Sequence, residues 1–446
     1  MNNQSFVPET KSVSAMTASA SKSSSVNRRE FLRCSAAALA LGFPMIVAPG
    51  ALGAPRRPSP NDRLRVGIIG MGGRARWILK HEALPGADVI AVADCHLGRI
   101  REAAQQVEGG DRWRVYQQYR EMLEKERLDA VFVETTTHAR VLICIHAMQA
   151  GCDTYVEKPQ SLTLAEGRVL VKTARKYKRI VQTGSQQRSM PINIHASRLV
   201  REGAIGKVHT VITCNFAPGR VWQPRDTPDD LPAELDWNQW CNQTELLPFY
   251  LELYNSWGEY VQYDGGGQCW GVTGWGTHSL DQVQCALGTD NTGPVEIWPE
   301  EPGPRCKLTM RYANGVQVKL EGANRDLEDL GAIFIGDKGR IEILRGDYTA
   351  DPPELRQHAP PVTPQGPNES VPHIENFFNC MRTRKPTNAD AETGHRATTL
   401  CHLVNICRTV QRKLRWDPRK EEFIGDAEAN QLRSRPRRKG FELPKI

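Results

Sequence analysis

Arg63-Leu-Arg-Val-Gly-Ile-Ile-Gly70-Met-Gly72-Gly73-Arg74-Ala75 decides the fold of this chain. Its first half is a short Ile/Val-rich run, as expected of a strand buried on both faces. Gly70, Gly72 and Ala75 then fit G-x-G-x-x-A, with Gly73 and Arg74 between them. Gly70 admits a tight turn, Gly72 lets the backbone approach a pyrophosphate, and Ala75 lets helix and strand pack closely. The helix that opens here turns its N-terminus toward the phosphates. A second strand, 88–94, ends in Asp94, 22 residues beyond Gly72. That carboxylate can take both ribose hydroxyls and repels a 2′-phosphate, which favours NAD over NADP. Helix capping is the alternative role for Asp94.

Working outward, strands at 129–134, 154–157 and 180–183 alternate with helices near 74–83, 97–107, 121–125, 140–150 and 165–176. Such alternation implies parallel β-α-β units. The pattern changes after residue 190. A helix at 192–202 leads into strands at 207–216, 305–312, 315–321, 331–336 and 339–344. Asn314-Gly315 and Asp337-Lys338-Gly339 are hairpin turn signals. Residues 217–263 are rich in Trp, Pro and Tyr without a clear period, and Pro-rich 350–370 reads as a surface connection. Ile374, Phe377, Phe378 and Met381, then Leu400, Leu403, Val404, Cys407 and Val410, mark two closing helices. The expected fold is α/β plus α+β. A Rossmann dinucleotide-binding domain spans 58–188, and an α+β domain with a large, mostly antiparallel open sheet spans 189–370. C-terminal helices and a basic tail fill 371–446.

The 446 residues are 39% hydrophobic and 24% charged, an ordinary globular composition that excludes collagen, coiled coil and wholesale disorder. The net charge of +7 misleads. Residues 1–57 carry seven Lys/Arg against two Asp/Glu, residues 433–446 six against one, and the body between is left at −3. A nucleic-acid binder needs a basic face on its folded domain, so no nucleic-acid partner is expected. No apolar run is long enough to span a membrane. The twelve cysteines form no C-x-x-C pair and no metal-ligand spacing. No metal site is expected.

Residues 1–27 are Ser/Thr/Asn-rich and expected to be disordered. Arg28-Arg29-Glu-Phe31-Leu32 precedes the weakly apolar stretch 34–48, then Pro49 to Gly53 offers small residues for cleavage. This resembles a twin-arginine export signal. The export machinery is then a partner of the precursor, and the mature protein is periplasmic. An amphipathic N-terminal helix is the alternative.

Tyr155-Val-Glu157-Lys158-Pro159, Gly265-Gly266-Gly267 and Trp275-Gly276-Thr277-His278-Ser-Leu-Asp281 resemble the Gfo/Idh/MocA oxidoreductase family. Its members include glucose–fructose oxidoreductase and inositol dehydrogenase. Asn388-Ala-Asp390, Gly394-His395-Arg396 and Arg415-Trp416-Asp417-Pro418 resemble an exported, planctomycete-like bacterial subgroup. The resemblance implies that Lys158 points at the carbon that exchanges hydride and shuttles a proton. It makes His278 the acid/base and lets Asp281, one helical turn on, bind a substrate hydroxyl, orient the ring or cap a helix. It implies a cis bond before Pro159. It places Thr135, Thr136, His138, Glu157, Lys158 and Gln187 beside the cofactor, with Gly70, Gly72, Gly73, Arg74, Ala75 and Asp94. Relatives often carry an acid four residues before the histidine, where this chain has Gly274. Arg140 replaces a second family histidine, and meets an anion or faces solvent.

Trp222, Trp237, Trp240, Tyr250, Tyr254 and Trp257 either stack on sugar rings or pack within a long loop. The implied function is NAD-dependent oxidation of a sugar, polyol or glycoside hydroxyl by a homodimer or homotetramer joined through the open sheet face. Export separates the protein from free NAD, which favours a bound, self-recycled cofactor. Ping-pong sugar–sugar oxidoreduction or a redox-neutral glycoside reaction (cleavage or epimerisation) both satisfy this. A non-catalytic sugar-binding or sensing protein is the rival, motivated by Gly274.

Overall fold

The computed structural model describes residues 63–265, 271–322 and 331–446. The N-terminal tail and signal at 1–57, and Gly266 and Gly267, lie outside the described residues. The first part runs β1 (Leu64–Ile69), α1 (Gly73–His81), β2 (Ala87–Ala93), α2 (Leu97–Gln106), β3 (Arg114–Tyr116), α3 (Tyr119–Lys125), β4 (Ala130–Val133), α4 (Thr137–Gln149), β5 (Asp153–Val156), α5 (Leu164–Tyr177) and β6 (Val181–Thr183). Its strands form one parallel sheet in the order β3-β2-β1-β4-β5-β6. β4 and β5 are buried along their whole length, which explains their unbroken apolar runs. The strand order reverses at β1 and β4, and a crevice opens at their carboxyl ends.

The second part continues with α6 (Pro191–Arg201), β7 (Val208–Cys214), α7 (Trp237–Cys241), α8 (Leu251–Ser256), α9 (Trp275–Leu287), β8 (Glu296–Pro299), β9 (Leu308–Arg311), β10 (Gln317–Gly322), β11 (Ala332–Gly336), β12 (Gly339–Ile343) and β13 (Tyr348–Asp351). It closes with α10 (Val371–Thr383), α11 (Ala391–Val410), β14 (Leu414–Asp417), β15 (Glu422–Phe423) and α12 (Ala427–Gln431). The sheet order is β13-β12-β11-β7-β10-β9-β8-β14-β15. β7 and β10 pair in parallel, and the other pairings are antiparallel. Leu280, Val283, Leu400 and Val404 of α9 and α11 pack against Val211, Phe334 and Ile341 of its inner face.

The two closing helices part company. α10 sends Ile374, Phe377 and Phe378 into the core of the first sheet, whereas α11, β14 and β15 build the second. Residues 217–263 make a separate aromatic cluster in which Trp237 stacks on Trp240 at 4.4 Å. Packing within the segment therefore occupies most of the rings that sugar stacking would need.

Candidate active site

A cleft of about 680 Å³ runs over the carboxyl ends of β1, β2, β4 and β5, walled opposite by α9 and residues 217–263. Gly70 sits at φ +92°, and a Cβ there would lie 2.8 Å from the Glu134 carbonyl oxygen. Only glycine makes this turn without strain. A Cβ on Gly72 or Gly73 would meet nothing within 4 Å. Gly72 caps α1 and offers no side chain to the first amides of the helix. Those amides are left for an anion. Ala75 is fully buried and packs α1 onto the sheet.

Asp94 lines the cleft at the end of β2. Its Oδ2 accepts from the Met71 amide at 2.6 Å and its Oδ1 from the His96 amide at 2.8 Å. Oδ1 also takes a weak contact from the Cys95 thiol at 3.6 Å, whereas Oδ2 keeps a lone pair for a ribose hydroxyl, so one carboxylate both holds the glycine turn and meets the sugar. Thr135 and Thr136 line the cleft after β4. Arg74 donates to Glu157 at 3.0 Å and to Ser370 at 3.1 Å. Burial opposes ionisation of Glu157, but Arg74 and Lys158 hold its pKa below the ordinary value. The residues fit a nicotinamide dinucleotide. The open glycine cradle and uncapped helix suit its pyrophosphate, Asp94 a ribose, and the β4 and β5 ends its nicotinamide half.

Lys158 follows β5 and joins Pro159 through a cis bond. Its Nζ donates to the Gly274 carbonyl at 3.1 Å and lies 5.5 Å from the Trp275 ring centre. The position that carries an acid in relatives thus contributes a backbone acceptor here. Burial lowers the Lys158 pKa, against the pull of Glu157 and Asp264. His278, in the first turn of α9, lines the same cleft, and its Nδ1 has no protein partner. Burial, reinforced by the Lys158 charge, pushes the His278 pKa well below its usual value. A buried lysine and a neutral histidine therefore face one cavity, a pairing suited to holding an oxygen and receiving its proton.

Four expected site residues lie outside the cleft lining: Ala75, which is spent on packing, and Asp281, His138 and Gln187. Asp281 accepts from Arg188 Nε at 2.8 and 2.9 Å, and Arg188 also donates to Asp290 at 2.7 Å. Burial lifts the Asp281 pKa to about 6, with Arg188 holding it back. A buried carboxylate needs a partner, and Arg188 satisfies Asp281 away from substrate. His138 lies beneath residues 217–263, its Nε2 2.7 Å from the Trp240 carbonyl oxygen. Gln187 is displaced by its neighbour. In the tight turn 186–189 successive side chains diverge, and Gln186 points into the cleft, within 3.4 Å of Glu157. Arg140 does not face solvent but lines the cleft. It is buried and donates to the carbonyls of Thr135 and Pro159, bracing the cleft floor.

The structure adds residues that the motifs did not mark. Glu134 follows β4 beside Gly70, buried, with neither carboxyl oxygen hydrogen-bonded among the described residues. Burial and the neighbouring Glu157 raise its pKa to about 8. Its place at a strand end next to the glycine turn was the available signal. Asp264 accepts from Thr137 and Thr273, both at 2.5 Å, and lines the cleft. Arg345, just beyond β12, reaches the same cavity and pairs with Glu369. Neither sits in a recognisable local pattern.

Residues 64–185 match the family model for the NAD-binding Rossmann fold of the Gfo/Idh/MocA oxidoreductases, and residues 193–443 match the model for their C-terminal alpha/beta domain. A scyllo-inositol 2-dehydrogenase (NAD(+)) of Bacillus subtilis is 29% identical over 147 residues, 32% of this chain and 42% of that protein. A glycosyl hydrolase family 109 protein of Shewanella baltica is 25% identical over 203 residues, 41% of this chain and 44% of that protein. The chain therefore spans under half the length of these curated relatives. The crystal structure of an aldose–aldose oxidoreductase from Caulobacter crescentus, complexed with glycerol, aligns with TM-score 0.56 and 18% identity, over 79% of this chain and 99% of that one.

Proposed function

The chain belongs to the Gfo/Idh/MocA oxidoreductase family, and from that premise we propose that it is an NAD-dependent oxidoreductase acting on a sugar, polyol or glycoside hydroxyl. The observation that carries this reading is the meeting of Lys158 and His278 in the cleft that holds the open glycine cradle. Bound NAD supplies the hydride acceptor, which no side chain can be. Lys158, tethered by Gly274, positions the substrate oxygen and shares its proton with His278. His278, kept neutral, receives the hydroxyl proton. Similarity to an NAD-dependent inositol dehydrogenase supports a polyhydroxylated substrate.

The reading includes export by the twin-arginine route to the periplasm, in the manner of the planctomycete-like subgroup, and a dinucleotide that travels bound and is recycled in place. It rests on Arg28-Arg29 together with the glycine motif. A redox-neutral glycoside reaction is the second reading, favoured by the similarity to the family 109 glycosyl hydrolase. The test is purification of the exported protein, identification of its nucleotide, and addition of sugars while the reduced-nicotinamide absorbance is followed. Retained NAD that is reduced by one sugar and reoxidised by another supports recycling. A protein that sheds NAD and needs it in solution refutes recycling, and one that reduces no NAD with any sugar or glycoside refutes the oxidoreductase.

A further inference from the structure

Two features have no part in the chemistry at Lys158: the aromatic segment 217–263 and the basic C-terminal tail. The segment leaves the second domain and lies across the end of β2. Leu97 N donates to the Glu234 carbonyl at 3.2 Å, and Asp236 N donates to the Cys95 carbonyl at 2.8 Å. Gln117 Nε2 donates to both of those carbonyls, at 3.1 and 3.0 Å. Tyr254 then lies 4.5 Å beneath the Arg99 guanidinium, its hydroxyl 2.8 Å from His96 Nδ1. Arg99 and Tyr254 line the cleft with Asp94. In the sheet order β2 stands three strands from β5, so this wall is about 14 Å from the strand end that carries Lys158. A flat aromatic ring under a guanidinium offers the stacking surface that a purine takes.

The tail fastens this segment. Arg435 donates to the Val261 carbonyl at 2.8 Å, Arg437 to Gln243 at 2.7 Å, and Arg438 to the Asn238 carbonyl at 2.7 Å. The middle and the C-terminal end of the aromatic cluster are thus tied by arginines whose charge looked surplus in the sequence. We propose that residues 217–263, pinned by Arg435, Arg437 and Arg438, form a clasp over the adenosine half of the dinucleotide and leave the nicotinamide end open to substrate. Such a clasp acts chiefly on release, since affinity differences within one site lie mostly in the off-rate. It turns a cofactor into a resident group, and it rests on the dinucleotide reading of the cleft.

The test uses the full chain loaded with NADH and chased with excess ADP-ribose, reading nicotinamide fluorescence. Equilibrium affinities for ADP-ribose, which has the adenosine half, and nicotinamide mononucleotide, which lacks it, are measured alongside. Joint Arg437→Ala and Arg438→Ala removes several charge-assisted hydrogen bonds, so NADH release should speed up by about tenfold. ADP-ribose should weaken in step, with nicotinamide mononucleotide held within about twofold. If that variant fails to fold, Glu234→Ala, which removes only the exposed pair with Arg101, should show the same selectivity at smaller amplitude. Unchanged release, or equal weakening of the two ligands, overturns the clasp. A wild-type chain that binds neither NADH nor ADP-ribose overturns the dinucleotide reading, and the clasp with it.

Discussion

Glu157 and Lys158 are adjacent, yet the structure moves their ionisation in opposite senses relative to what burial alone would do. Arg74 keeps Glu157 charged, whereas burial lowers the Lys158 pKa despite Glu157 beside it. A lysine whose ammonium is destabilised by burial gives up its proton more readily than a solvated one. Lys158→Met keeps length and stem but carries no proton, so kcat should fall about 10²–10⁴-fold with dinucleotide affinity nearly intact. His278→Gln should lose less. The double variant should be little worse than Lys158→Met if both act on one proton, whereas multiplying losses would move His278 into substrate binding. Glu134 gives a separate test through stability. Its folded pKa of about 8 stands above the roughly 4.3 of an unfolded glutamate. Between these values the folded chain holds the proton and the unfolded chain releases it, so stability falls as pH rises from about 4 to 8. The charged and titratable groups facing it are Glu157, Arg74 and Arg140. Glu134→Gln should flatten that decline and gain on the order of 3 kcal/mol at pH 8 in the nucleotide-free chain. Parallel melting curves against pH for the two proteins would show that Glu134 is not the group responsible.

At the scale of elements, the strand ends do the positioning. Asp94 ties the β1–α1 turn to β2 through the Met71 amide, so Asp94→Ala should weaken NAD binding and narrow the preference over NADP. Equal affinities before and after would remove Asp94 from the site. The parallel sheet was legible because each of its main strands is buried on both faces and interrupted by a helix. β3 went unread, since at the sheet edge Arg114 and Val115 are exposed and leave no apolar run. β8 and β13–β15 have at most four residues, too short for a period to show, and β8 meets β14 from more than a hundred residues away. The site shows the same division. Gly70, Asp94, Lys158 and His278 sit at strand ends or a helix start, and the fold brings them to one cleft. Asp281 and His138 lie outside its lining, because helical spacing assigns a face without saying which group meets it. Arg188 meets Asp281 from 93 residues away.

For the whole molecule, the open face of the nine-stranded sheet sets the question of assembly. Its inner face carries Val211, Phe334 and Ile341 against the helices. Between these lie Thr210, Ile212, Ile333 and Ile335, all partly exposed, and Ile212 sits directly opposite Ile333 in the β7–β11 pairing. Nine strands at about 4.8 Å spacing, each about 17 Å long, give roughly 700 Å² a side. Two such faces together fall in the range of a specific, stable interface. An antiparallel sheet cored on one face can leave the other to solvent, but aliphatic residues paired across neighbouring strands favour a cover. A second copy of the chain is the expected cover, giving a dimer or tetramer by light scattering at micromolar concentration. Joint Ile212→Glu and Ile333→Glu sets like charges opposite each other at the centre of that face, where a partner would have to bury them. The variant should elute and scatter as a monomer while its circular dichroism stays that of the parent. A monomeric parent would overturn the assignment, and a variant that stays oligomeric would move the interface elsewhere. Because these substitutions lie on the face turned away from α9, nucleotide binding should survive in the monomer, which separates assembly from cofactor retention.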